Sequence, residues 1–505
     1  MRMSPGGGAC GPASKELRPS GFFEFIENLT WGWALIPLLV VFGLFITMMS
    51  GFVQFRYFFR MFRVLSPRNR TGNANSISDR EALLVSVGGR VGGGNIAGVA
   101  VAISLGGPGA VFWMWAVALI GMATSLVECT LAQLYKRSNG DGTYRGGPAD
   151  YIVYGLGQRF RWLAVLYAVC LLMAFAFGFN AFQGNTFAGA VHESLGIDRM
   201  WAGILLAVLT AVIVYGGIRR IAKASDVIIP IMAFVYIGLA LAVIVTNITE
   251  LPRVLWSIVA NAFGLEQAVG GGIGAAVSQG LRRGLFSNEA GLGSAPNVAA
   301  TADVRHPISQ GITQSLSVFI DTIVICSCTA FIILLGPVYQ PGIEVDGIAL
   351  TQQSLVSQVG SWSQYFLTVA ALLFAFSSII YNYYLGETAL KVMTAQPVLV
   401  HVLRWAVVAV VFLGATAPGA TAVFFFSDPL MGLLAVVNLM AMIMLFPTCL
   451  RLLEDFRQQL KAGIERPVFQ PAAFPDLDLD HSAWPHAKWA QKQVASALSP
   501  AASAT

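Results

Sequence analysis

The sequence predicts an all-α membrane protein with eleven transmembrane helices, arranged as two five-helix halves plus one extra N-terminal helix. Three observations carry this. Apolar residues make up 56% of the 505 and charged residues only 11%, whereas a soluble domain carries about 25% charged residues. Eleven apolar runs come close to the ~20 residues that a bilayer core requires. Two of those runs are interrupted by glycine clusters, one at the start of each half.

The runs fall at 31–50, 82–105, 109–134, 162–190, 199–217, 225–247, 266–292, 309–337, 364–390, 400–417 and 428–450. The first is the added helix, and residues 82–247 and 266–450 form the halves. Residues 1–30 read as a flexible extracytoplasmic leader, and 451–505, rich in Pro, Ala and charge, as a loosely ordered cytoplasmic tail. Two shorter pieces do not span. Within the cytoplasmic segment 51–81, "FRYFFRMFRVL" sets Phe55, Phe58, Phe59 and Phe62 on one stripe and Arg56, Arg60 and Arg63 on another, as an interfacial helix does. "PRVLWSIVANAFG" (252–264) is too short to cross and is expected at the far interface or re-entering. "GGPGA" (106–110) reads as a tight turn between spans.

Loop charge sets the orientation. The loops 51–81, 136–161, 218–224, 282–308 and 391–404 carry nineteen Lys and Arg, and those on the other side carry two. Cytoplasmic loops hold the excess cations, so the N-terminus is expected outside and the C-terminus inside. The net charge of +5 therefore belongs to loops and is no nucleic-acid signature.

"VGGRVGGGNIAG" opens the first half and "VGGGIGAAVSQG" (269–280) the second. Glycine weakens a helix by about 1 kcal/mol, and a central arginine costs roughly 2.5–3.5 kcal/mol on insertion scales. Single glycines in membrane helices more often serve close packing. A matched pair of clusters in halves of odd helix number, hence inverted, points instead to a transporter site near the midplane. Freed N–H groups suit a carboxylate and freed C=O groups a small cation.

The stretches "GGGNIAGVAVAISLGGPGAVFWMWAVALIGMATSLVEC" and "RRGLFSNEAGLGSAPNVAA" resemble the signatures of the alanine/glycine:cation symporter family, over about residues 20–480 and including a "RPVFQPAAFPD" tail found in one bacterial branch. That resemblance implies a LeuT-type five-plus-five core, sodium coupling, a small neutral amino acid as substrate (alanine, glycine, serine or D-isomers), and a monomer in the bacterial inner membrane. It places the substrate at Gly92, Gly93, Gly94 and Asn95, with Gly274 in the second cluster, Gln183 from "NAFQGN" and Asn382 from "SSIIYNYYLGE". Family members often carry threonine at Gly93, tryptophan at Asn382 and a small hydroxyl residue at Arg90. For sodium it implies carbonyls at Gly88 and Val91 with the hydroxyls of Ser377 and Ser378.

Arg90, Glu128 and Asp321 are intramembrane charges, functional candidates by default, with a buried structural pair as the alternative. Arg90 is expected as a fixed charge bonded to freed carbonyls or to Glu128 or Asp321. Arg282, Arg283 and Glu289 offer an ion-pair gate at the cytoplasmic end. A sodium-independent exchanger or facilitator, with Arg90 replacing the cation, is the alternative function. No nucleophile–base set, metal-type Cys or His spacing, or Walker loop argues for an enzyme or an ATP-driven pump.

Overall fold

The computed structural model describes residues 28–65, 76–215, 218–265, 272–343 and 347–484. Most of the expected leader, Gly270 and Gly271 of the second glycine cluster, and the chain beyond 484 lie outside the described residues. Each predicted apolar run carries a helix. In order these are α1 (Leu29–Met49), α2 (Asp79–Arg90), α3 (Gly94–Gly106), α4 (Gly109–Leu134), α5 (Gln158–Leu195), α6 (Arg199–Val214), α7 (Ile218–Thr246), α8 (Leu251–Ala262), α9 (Gly272–Asn288), α10 (Ser294–Ala299), α11 (Pro307–Leu334), α12 (Ile348–Val359), α13 (Trp362–Met393), α14 (Pro397–Thr416) and α15 (Ala420–Lys461).

Among the described residues seven helices are long and apolar enough to cross a membrane, or up to nine when each bent pair counts as one span. The pairs are α2–α3, bent by 52°, and α7–α8, bent by 104°. The expectation of eleven exceeds nine by α6 and α9, which have only 16 and 17 residues. α8 is the short "PRVLWSIVANAFG" piece, turned sharply off α7. It meets the turn before α4, where a side chain on Gly109 would stand 2.6 Å from the Ala262 backbone nitrogen.

α4 packs on α9 and α11, α5 on α13 and α14, and α15 closes against α5 and α1. Small residues set the α4–α9 distance. A Cβ on Gly280 would lie 2.5 Å from the Ala110 carbonyl oxygen, and one on Gly284 2.5 Å from Val117. This corrects the reading of the second glycine cluster: its described part, 272–280, is unbroken helix, and glycines there and just beyond bring two helices together. The break lies farther on, between Asn288 and Ser294.

After α1 the chain forms two short helices, Val53–Arg56 and Phe58–Met61. Phe55 and Phe59 are exposed, while Phe58 stacks edge-on to Phe319 of α11 at 5.1 Å, so the aromatic stripe divides between the surroundings and the body of the protein. The tail after α15 is packed rather than loose as far as residue 484. Phe469 donates its N–H to the Arg305 carbonyl at 2.8 Å, and Asp480 accepts the Ser138 N–H at 2.9 Å. Arg451 grips Asp476 through two bonds of 2.6 and 2.9 Å. Phe469, Phe474 and Trp484 are buried; a Pro-rich sequence hides apolar side chains here with only two short 3-10 turns, Pro471–Ala473 and His481–Ala483.

Candidate functional site

α2 starts with a capping box. The Glu81 N–H donates to Ser78 Oγ at 3.2 Å, and the Ser78 N–H to Glu81 Oε2 at 2.7 Å. The helix stops at Arg90, and Val91, with ψ 95°, leads the chain out before helix resumes at Gly94. In the gap, Gly92 N–H donates to Asn95 Oδ1 and Gly93 N–H to Gln183 Oε1 of α5, both at 2.8 Å. Glycine is required here by close approach. A Cβ on Gly92 would lie 2.4 Å from Ser378 Oγ, and one on Gly93 2.6 Å from Thr186 Oγ1. α5 and α13 thus clasp the break from two sides.

Ser378 Oγ donates to the Gly89 carbonyl at 2.9 Å, bridging α13 to the end of α2. Ser377 turns instead to Phe374 O of its own helix, at 3.1 Å. Gly88 and Val91 are buried beside this contact. Asn95 is the hub of the break. Its Nδ2 donates to Asp321 Oδ1 at 2.6 Å and to Ser287 Oγ at 3.0 Å. Asp321 also accepts from Ser287 and Thr322, each at 2.7 Å.

Arg90 is buried and donates to Ser317 Oγ of α11. Among the described residues its Nε and Nη2 find no hydrogen-bond partner, although Glu128, Glu289 and Asp321 all lie within its electrostatic reach. The expected bond to Glu128, Asp321 or a freed carbonyl is not made, because both acids are already engaged. Glu128 holds the second break: its two oxygens accept the N–H groups of Gly291 (3.2 Å) and Gly293 (3.1 Å) and the Asn438 amide (3.0 Å).

That second break is a run of left-handed residues: Glu289 at φ 53°, Gly291 at 85° and Gly293 at 82°. Such a conformation on a non-glycine residue costs on the order of 1–3 kcal/mol and persists only where neighbours fix it. Glu289 is fixed by Ser294 Oγ, which donates to its Oε2 at 2.6 Å. Gly274 sits on the first turn of α9, exposed and apart from both breaks.

Arg283 lies in the half of α9 before the break and pairs, buried, with Asp428 near the start of α15. The tail-bearing end of α15 is the opposite one, so this corrects the expected gate: the ion pair stands at the end away from the arginine-rich loops. Arg283 also covers the Phe424 ring at 3.6 Å. Beneath it Phe179 stacks on Phe286 at 4.1 Å, and Phe182 meets both Phe286 and Phe424. At the arginine-rich end a cavity of about 650 Å³ opens among Tyr144, Arg145, Asp150, Arg161, Tyr384 and Thr388. Among the described residues no group of three or more His, Cys, Asp or Glu is placed to hold a metal. Sequence reasoning missed Asn180, Thr186, Ser287 and Ser317. Each is a polar residue in an apolar run, which was the available signal, but its partner is fixed only by tertiary packing.

The overall fold has a counterpart among solved structures. The chain resembles MhsT in complex with L-phenylalanine, with a TM-score of 0.51 and 13% identity over 73% of this chain and 97% of that one. The fold is LeuT-type, and the protein is a multi-pass membrane transporter. It belongs to the sodium:alanine symporter family, whose profile matches residues 17–471. It is 47% identical to the amino-acid carrier protein AlsT of Bacillus subtilis, over 90% of this chain and 97% of that one. The probable sodium/glutamine symporter GlnT of the same organism is 46% identical over 91% and 95%. A sodium/proton-dependent alanine carrier of Bacillus sp. strain PS3 is 33% identical over 77% and 89%. The family consists of transporters, not enzymes, and its work is amino-acid transport coupled to a cation.

Proposed function

We propose that the chain carries a small neutral amino acid together with one sodium ion across the bacterial inner membrane by alternating access, with its N-terminus outside and its C-terminus in the cytoplasm. The observation that carries this is a difference between the breaks. The freed N–H groups of the second are bound by a carboxylate of the chain itself, Glu128. Those of Gly92 and Gly93 in the first are bound by the neutral side-chain amide oxygens of Asn95 and Gln183. A charge-assisted hydrogen bond is roughly twice as strong as a neutral one, so a substrate carboxylate displaces Gln183 Oε1 at Gly93. Gln183 then offers its amide N–H to the same carboxylate, within the shell of Gly92, Gly94 and Asn95.

For the ion, carbonyls at Gly88 and Val91 and the hydroxyls of Ser377 and Ser378 supply the oxygen donors that a hard cation takes. Arg90 keeps its proton throughout and repels a second cation in a low-dielectric setting. The stacked phenylalanines under Arg283–Asp428 close the outer side, and the cavity at the arginine-rich end leads inward. The test is uptake of labelled amino acids into proteoliposomes with and without a sodium gradient. Uptake that needs sodium, with a Hill coefficient near one and lost in Ser377→Ala/Ser378→Ala, is the expected result. Uptake indifferent to sodium would instead make the chain a facilitator or exchanger with Arg90 in the cation's place.

A further inference from the structure

We propose that Lys136 is a positioning residue for transport: capped by Trp484 of the tail, its ammonium ties together the tail-side ends of both broken helices and so sets how often that side opens. The inference rests on the alternating-access reading above. Lys136 stands just beyond the end of α4, and its Nζ donates to the Ala302 carbonyl at 3.1 Å. The Gln133 amide donates to the same carbonyl at 2.9 Å and to that of Ala299. Ala299 ends α10, the helix that leaves the second break. Ala302 pairs with Ile77 in an isolated parallel bridge, and the Asp303 N–H donates to the Ile77 carbonyl at 3.0 Å. Ile77 directly precedes Ser78, the cap of α2, which leads to the first break. One knot thus holds both.

Lys136 is fully buried, and a buried ammonium is costly unless something compensates it. Asp303 lies within its electrostatic reach, and two aromatic faces flank it. The Nζ stands 4.3 Å from the Tyr144 ring centroid and 4.4 Å from that of Trp484. A ring face attracts a cation most strongly where water is excluded. Trp484 belongs to the tail, which is held in place nearby by Phe469 on the Arg305 carbonyl and by Asp480 on the Ser138 N–H. Its Nε1 is buried and has no partner among the described residues, so the ring contributes its face and not a hydrogen bond. For α2 or α10 to swing out on the tail side, either the Lys136–Ala302 or the Ile77–Ala302 contact has to break. Without the tail's ring the ammonium is drawn to water, and the first of these contacts weakens. A tail side that opens more often leaves less of the protein facing the other way, and apparent affinity from that other side falls in proportion.

The experiment uses the full-length chain in proteoliposomes with sodium, and labelled alanine, glycine or glutamine, whichever is taken up fastest, presented at the side away from the tail. In parallel, Ser86→Cys is labelled by a membrane-impermeant thiol reagent from the tail side. Ser86 is buried on α2, and its hydroxyl has no partner among the described residues, so the cysteine breaks no hydrogen bond. Lys136→Met and Trp484→Leu should each raise the apparent KM by about threefold or more and speed labelling by a similar factor. Trp484→Phe keeps a ring face and should stay within about twofold of the wild type in both readouts. Wild-type KM and labelling in Lys136→Met and Trp484→Leu, beside normal uptake, would overturn the inference and leave the transport reading standing. So would Trp484→Phe failing as badly as Trp484→Leu, which would reduce the contact to packing. A fall in Vmax with KM and labelling unchanged would also overturn it, as the mark of a merely structural role. Absence of uptake for all three amino acids in the wild type would defeat the transport reading, and the inference with it.

Discussion

Gly93 has a hydroxyl waiting where its side chain would go. Gly93→Val would drive branched carbons into Thr186 and push Gln183 away, and Gly94→Val would press on the Phe286 ring, 3.2 Å from its Cβ position. Both variants should insert yet bind no amino acid in a direct binding assay, and Gly93→Val should melt lower than the wild type because Thr186 and Gln183 must shift, an overpacking cost of about 1–3 kcal/mol. Normal affinity in either would remove the first break from the site. Gln183→Ala leaves Gly93 N–H without its partner and the substrate carboxylate with one donor fewer. A hydrogen bond to a charged group is worth about 1.5–3 kcal/mol, so affinity should fall by roughly ten- to a hundredfold, measured by isothermal titration. At this scale Gly92, Gly93 and Asn95 marked the first break in the sequence, because glycine and amides are costly in an apolar helix, whereas Gln183 and Ser378 were pointed to only by the family resemblance. It was silent on Arg90's choice of Ser317, since nothing local decides between several buried acceptors.

At the scale of elements, eleven helical segments were legible from hydropathy, and the first break from its glycines. The second break was not. Glycine marks close packing as readily as a bend, and Gly280 and Gly284 serve packing, whereas the bend itself is carried partly by Glu289, a residue that gives no such signal. The Arg283–Asp428 pair joins α9 to α15 above the stacked phenylalanines. Breaking a buried pair by removing one partner typically costs about 3–5 kcal/mol. Arg283→Met or Asp428→Leu alone should therefore lower the melting temperature and raise outward leak of substrate, while the double variant recovers much of the stability. Equal destabilisation in all three would mean that the pair is not coupled.

Across the whole molecule, the packed tail links the end of α15 to the loops after α4 and before α11. His306 is part of that link: its Nδ1 accepts the Ile308 N–H at 3.2 Å, and its Nε2 faces Asp455 at 3.0 Å. Burial holds its pKa below the ordinary value, against the pull of the Asp455 carboxylate. The unfolded chain takes up a proton near pH 6.5 that the folded ring resists, so this contribution is present above that pH and is lost as pH falls below it. The melting temperature should drop between about pH 7 and pH 5, with a shallower slope in His306→Asn, which keeps a helix cap but cannot titrate. The tail's docking was hidden in the sequence because prolines and scattered aromatics carry no periodicity.

Glu128 also acts as a clock. Gly291 and Gly293 donate hydrogen bonds to a carboxylate of the chain itself, whereas on the proposed mechanism Gly93 lends its N–H to Gln183, which a substrate displaces. Deuterium should therefore enter the two glycine pairs on different schedules. Exchange at Gly291 and Gly293 should be slow and the same with or without amino acid, whereas exchange at Gly92 and Gly93 should slow when substrate arrives and quicken during turnover. Such a result would make α4 and the α9–α10 break one unit through the transport cycle, with the motion read at the other break.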